Sequence, residues 1–294
     1  MKAVVNVLRG FLMGAADLVP GVSGGTVALV LGIYRRLISS VRSGAHVLGA
    51  LVRFDLDKAK SAWQEIDWPF ILTLVAGIGL AILTLSSLIR YLRVNYPVET
   101  AAVFFGLVAA SIVVAWRLVA NRDTVRISII VGVAVVAFLV LGLRSGPVGD
   151  PAAWMFFAAG AVAICAMILP GISGAFILLM LGMYDATIDA IHERNMVIVV
   201  VFAVGATIGL ALFAPLLDRL LNRYHDSVIA SLIGLMAGSL RVLWPWPDGT
   251  ETTSLALPSG QWLLPIVLAV VGAGVVLVVA YRVNRPASVV VDTH

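Results

Sequence analysis

Residues 17–34 read DLVPGVSGGTVALVLGIY, and residues 167–184 read MILPGISGAFILLMLGMY. In each, an apolar run carries a Pro-Gly and a Ser-Gly in its middle and then resumes with helix-forming residues. Superposing Pro20 on Pro170 also pairs Gly21 with Gly171, Ser23 with Ser173, Gly24 with Gly174, Leu29 with Leu179 and Leu31 with Leu181. Gly32 then pairs with Gly182, and Tyr34 with Tyr184. Proline lacks a backbone donor and drives the residue before it out of the helical region. Each stretch is therefore an apolar helix broken near its centre.

Composition identifies the solvent around these breaks. The 294 residues are 61% hydrophobic and 12% charged, with a mean hydropathy of +1.05. A water-soluble domain carries roughly 25% charged residues. So much apolar surface cannot fit inside an aqueous fold, so the medium is lipid and the chain reads as an all-α polytopic membrane protein. A single cysteine, Cys165, excludes an internal disulfide framework. Lys2 and Arg9 ahead of a short apolar run have the look of a cleaved leader. The internal echo of the motif argues instead that this run belongs to the mature fold.

Eight apolar segments follow: 4–34, 70–92, 98–116, 127–143, 152–184, 196–217, 227–243 and 262–281. The six unbroken ones match the length needed to cross a hydrocarbon core of about 30 Å. The pairing of motifs extends beyond the breaks. Gly106-Leu107, Ala109, Ser111 and Trp116 return as Gly234-Leu235, Ala237, Ser239 and Trp244, and Gly79-Leu80-Ala81 returns as Gly209-Leu210-Ala211. The chain is thus expected to be two repeats, 1–143 and 144–294, each a broken segment plus three transmembrane helices. The first repeat carries an extra polar stretch at about 43–67, read as a short surface helix.

Charge sets the orientation, because cytoplasmic loops are rich in Lys and Arg. If both broken segments are re-entrant hairpins, 15 Lys and Arg fall on the side of the N-terminus. Only five, Arg90, Arg93, Arg144, Arg194 and Arg241, fall on the other. If both segments cross, the split is 9 against 11. The hairpin arrangement is expected, and it places an odd number of crossings between the motifs. The repeats are then inverted, with both termini cytoplasmic. A helix from Gly24 to Tyr34 would place the Ser-Gly-Gly turn near the midplane.

Non-helical backbone at that depth is tolerated only where protein buries it or it lines a wet cavity. Ser23 or Thr26 can cap the following helix. The N–H groups and positive dipole end of that helix would then point into the membrane centre and favour phosphate or carboxylate. Two half-helices meeting at the midplane are the usual binding-site construction of secondary transporters. Asp17 is the acid of the first break and has Met167 as its counterpart. It either carries a coupling proton or sodium ion or caps the turn. Arg90, Arg117 and Arg241 lie near helix ends, where they either bind phosphate or snorkel to headgroups. Trp116, Trp154, Trp244, Trp246 and Trp262 fit an interfacial aromatic belt.

Enzyme signatures are missing. No Gly-x4-Gly-Lys-Ser/Thr loop occurs, and His46, His192, His225 and His294 lack metal-ligand spacing. Gly21-Val22-Ser23-Gly24-Gly25 has neither the flanking strand nor the histidine partner of a nucleophile elbow. No cofactor, metal or nucleic acid is expected.

The motifs ADLVPGVSGGTVALVLGIY at 16–34 and ILPGISGAFILLMLGMY at 168–184 resemble a prokaryotic membrane family formerly catalogued as domain of unknown function 368. Its members are described as polyprenyl-phosphate transporters, which return undecaprenyl phosphate across the cytoplasmic membrane for reuse in envelope glycan synthesis. The resemblance implies that Asp17, Pro20, Gly21, Ser23, Gly24, Gly25 and Thr26, with Pro170, Gly171, Ser173 and Gly174, form the substrate site. It implies a flippase whose partners are that lipid and the bilayer. The second motif departs at Ala175 and Phe176, where the first has Gly25 and Thr26. Two other functions compete: an ion-coupled transporter of a small soluble anion, and a membrane phosphatase, which would need a nucleophile with a base.

Overall fold

The computed structural model describes residues 2–143, 146, 148–251 and 254–283. Arg144, which opens the expected second repeat, and Arg285 lie outside the described residues. The helices are α1 Lys2–Asp17, α2 Gly24–Val30, α3 Tyr34–Val52, α4 Leu56–Gln64, α5 Trp68–Asn95, α6 Pro97–Trp116 and α7 Thr124–Val140. There follow α8 Ala153–Ile168, α9 Gly174–Met180, α10 Tyr184–His192, α11 Met196–Arg223, α12 His225–Ser239 and α13 Leu263–Val283. No strand occurs among the described residues. The protein is an all-helical, multi-pass membrane protein.

Four helices, α5, α6, α11 and α13, are long and apolar enough to cross a bilayer. A fifth candidate is α9 with α10, bent by 112° between them. Both α5 and α11 have 28 residues, about 42 Å at 1.5 Å per residue. Their outer faces carry exposed Leu72, Val75, Leu83, Val197, Val200 and Leu212, as lipid contact requires. Their starts are fixed by capping: Asp67 accepts from the Phe70 N–H and Asn195 from the Ile198 N–H.

Glycines let these helices pack backbone to backbone. Helix α1 lies on α5, with Gly10 against Leu74 and Gly77 against Val7. In the same way α8 lies on α11, with Gly160 against Phe202 and Gly205 against Phe157. The third and fourth contacts cross over. Helix α13 packs on α6, where Gly106 meets Ala269 and Gly272 meets Val103, while α7 packs on α12 through Gly234 and Gly238. Each half of the chain thus seats its last helix on the other half.

Two expectations need correction. The helix after the first break was read as running from Gly24 to Tyr34, but α2 has seven residues, about 10 Å long. Gly32, at φ +67°, turns the chain sharply into α3, and Gly182, also at +67°, does the same between α9 and α10. The left-handed conformation ends a helix and favours glycine. The polar stretch 43–67 is not one short helix: α3 runs on to Val52, and α4 alone is the separate short helix. Burial of Ile38, Ser43, Ala45 and Val47 extends α3, with α11 and α4 packed against it.

Candidate functional site

At the end of α1 the chain makes two short turns, Val19 N–H to the Ala16 carbonyl and Val22 N–H to the Val19 carbonyl. Gly21 sits within the second turn at φ +87°, with the site of a Cβ only 2.8 Å from the Val242 side chain. Helix α2 then begins, and protein groups take its first three donors. The Asp17 carboxylate accepts from the Gly24 N–H at 2.6 Å, the Ser23 hydroxyl from the Gly25 N–H at 3.0 Å, and the Ser23 carbonyl from the Thr26 N–H at 2.9 Å. A Cβ at 24 would come within 2.5 Å of the Asp17 carboxylate and displace it from this position. The expected open anion site on α2 is therefore filled by the chain's own carboxylate, which stands where an external anion would sit.

The first break also holds the second. The Ser23 hydroxyl donates to the Met167 carbonyl at 3.1 Å and the Tyr34 hydroxyl to the Ile168 carbonyl at 3.2 Å. The Gly171 N–H donates to the Thr26 hydroxyl at 2.8 Å. Met167 and Ile168 end α8, so their carbonyls lie among the last four that a helix cannot satisfy internally. Gly25 packs against the same turn; its Cβ position is 2.7 Å from the Ile168 carbonyl oxygen. Ser23 and Thr26 are fully buried. Pro20 and Pro170 are buried in the two turns.

The second break does not reciprocate. Ser173 caps α9 with extended backbone but no side-chain hydrogen bond. Phe176 replaces the bridging Thr26, and Met167, in place of Asp17, lays its side chain against Gly174. Gly171, at φ +90°, leans on Met236 of α12. Among the described residues, no side chain accepts from the first turn of α9.

The structure thus brings together Asp17, Ser23, Gly24, Gly25, Thr26, Gly171 and the residues ending α8. The arginines stand apart. Arg90 on α5 and Arg117 at the end of α6 are exposed and share no hydrogen bond with either break. Arg241 stacks over Phe138 at 4.6 Å and lines a cavity of about 470 Å³ with Phe105, Trp244 and Leu255–Leu257.

Beside each break runs an apolar groove. One, of about 140 Å³, lies between α1, α2, α6 and α13 and is lined by Ala16, Val27, Leu107 and Val276. The other, of about 320 Å³, lies between α7, α9 and α12 and is lined by Val136, Ile172, Ile177 and Leu235. Val27 and Ile177 occupy matching positions of the two motifs, as do Leu107 and Leu235 in the paired helices.

Sequence reading gave no role to Tyr34, although its pairing with Tyr184 marked it. It also passed over the clasp between α3 and α11, where Arg42 meets Asp218 at 2.9 Å, Asn222 bonds Asp218 and Arg35 bonds Asn222.

These features define a multi-pass helical membrane protein with two broken helices pinned to each other. A family model described as undecaprenyl phosphate translocase-like matches residues 13–258, and the chain belongs to that family. It is 34% identical to a polyprenyl-phosphate transporter of Vibrio cholerae, covering 94% of this chain and 96% of the relative. It is 28% identical to a polyprenyl-phosphate transporter of Staphylococcus aureus, covering 91% and 93%. No solved structure matches the chain.

Proposed function

We propose that the protein carries polyprenyl phosphate, such as undecaprenyl phosphate, across the cytoplasmic membrane for carrier-lipid recycling, by alternating access between two inverted halves. The observation that carries this reading is the unequal junction of the two breaks. The first half-helix spends its donors on Asp17 and Ser23, while the second leaves its first turn without a side-chain acceptor.

In this mechanism Ser173 and the first turn of α9 receive the phosphate. The phosphate then competes with Asp17 for the donors of α2. A proton or sodium ion that neutralises Asp17 frees those donors and couples ion movement to transport. The isoprenoid tail stays in lipid, lying along the two apolar grooves in turn. Those grooves favour a lipid substrate over a small soluble anion, which needs no lateral apolar opening.

Re-entrant geometry is supported at both breaks. Lys2, Arg9 and Arg36, on either side of the first, line one cavity. The Val148 N–H donates to the Gly182 carbonyl at 3.1 Å, joining the two ends of the second. Two inverted hairpins, with three crossings each and both termini cytoplasmic, agree with these contacts and with the charge distribution.

The test is translocation of polyprenyl phosphate in liposomes containing the purified protein. Ser23→Ala with Ser173→Ala is expected to abolish it. Unchanged translocation, or equal competition by free inorganic phosphate, would overturn the reading.

A further inference from the structure

A second polar cavity lies away from the breaks, where the start of α1 meets the start of α5. It has a volume of about 700 Å³ and is lined by Lys2, Val5, Asn6, Arg9, Arg36 and Phe70, among others. Two of its three cations, Arg9 and Arg36, are tied to neighbouring side chains, and Lys2 is exposed. Arg9 donates from Nη1 to Oδ1 of the buried Asn6 at 3.2 Å. Arg36 donates from Nε and Nη2 to one oxygen of Asp67, at 2.8 and 2.5 Å, and its guanidinium lies 4.2 Å from the centre of the Phe70 ring. Asp67 is fixed in turn because it caps α5 through the Phe70 N–H.

The charges do not balance. Lys2, Arg9 and Arg36 line the cavity, and Asp67 offsets only Arg36. Lys2 and Arg9 form no ion pair among the described residues. Much of the remaining wall is apolar, and its Val5 and Leu72 are exposed. Unbalanced cations beside a largely apolar wall where two helices begin match a phosphate group with the upper part of an attached hydrocarbon chain.

We propose that this cavity binds the phosphate group of a lipid in the leaflet at which the N-terminus lies. The site is separate from the paired breaks and does not depend on what the breaks carry. Arg9 supplies the open guanidinium donors, Lys2 a mobile second cation, and Val5 and Leu72 the bed for the chain.

The test is lipid retention by the purified full chain, followed by native mass spectrometry. The probes are phosphatidylglycerol, polyprenyl phosphate and inorganic phosphate, each titrated separately and in competition. Lys2→Gln with Arg9→Gln is expected to lower retention of at least one of the two lipids about tenfold. Arg9→Lys, which keeps the charge, is expected to recover most of it. Lys60→Gln, on exposed α4 outside the cavity, is expected to match the parent. Loss of phosphatidylglycerol assigns the site to bulk anionic lipid, and loss of polyprenyl phosphate alone assigns it to the carrier. Equal retention in the parent and the double variant would overturn the proposal. Displacement of bound lipid by inorganic phosphate at matching concentration would overturn the lipid source.

Discussion

Replacing Asp17 with asparagine tests whether the carboxylate on α2 competes with the substrate. The side chains have the same shape, and the asparagine oxygen can still accept from the Gly24 N–H, which Asp17 meets at 2.6 Å. The change therefore removes charge and spares the turn. A hydrogen bond to a charged group contributes about 1.5–3 kcal/mol and a neutral one about 0.5–1.5. The competitor is thus weakened by roughly 1 kcal/mol, or about fivefold, since 1.4 kcal/mol is tenfold. Asp17→Asn should bind a short-chain polyprenyl phosphate about fivefold more tightly and transport it more slowly, because release loses its internal replacement anion. Ligand-induced thermal shift in detergent reads the first effect and liposome translocation the second. Weaker binding with unchanged turnover would refute the competition. Asp17→Ala provides the contrast: it strands the Gly24 N–H and should destabilise the protein by about 1–3 kcal/mol.

Gly25→Ala would push a methyl to 2.7 Å from the Ile168 carbonyl and force the breaks apart; transport should be lost, while Gly49→Ala, with open space around it, should transport like the parent. Gly32→Ala meets no neighbour, so its cost is the left-handed backbone alone, about 1–2 kcal/mol, read as a lower midpoint in thermal unfolding. Asp226 accepts from the N–H groups of Ala120 and Asn121 and from the Asn121 side chain, so Asp226→Ala should cost about 1–3 kcal/mol and loosen the α6–α7 connection, visible as faster hydrogen exchange there. Asp218→Ala removes the acceptor shared by Arg42 and Asn222 and should raise cysteine-probe accessibility along α3; no change would rule out the clasp as a closure between the halves.

The long helices were legible in the sequence because lipid demands length and apolarity, and α5, α6, α11 and α13 supply both. The breaks were legible because Pro20 and Pro170 permit few alternatives. The second bend in each motif was not. An isolated glycine in an apolar helix reads equally as a packing surface or as a turn, and only the +67° φ of Gly32 and Gly182 decides. The end of α3 was missed because it is set by its packing against α11 and by the Arg42–Asp218 pair, contacts between distant parts of the chain. Within the site, the residue types were readable but the allocation of bonds was not. Ser23 and Tyr34 reach carbonyls of Met167 and Ile168, which no local pattern predicts, and that reach leaves the two motifs chemically unequal.

The crossed seating of α7 on α12 and α13 on α6 has a consequence for biogenesis. During synthesis, α6 emerges with the glycine face at Gly106 bare, and its partner α13 is made only after α7 to α12. Until then the insertion machinery or neighbouring lipid must shield that face. The two halves expressed as separate polypeptides should each be degraded alone and accumulate only when made together, since each supplies a helix that completes the other.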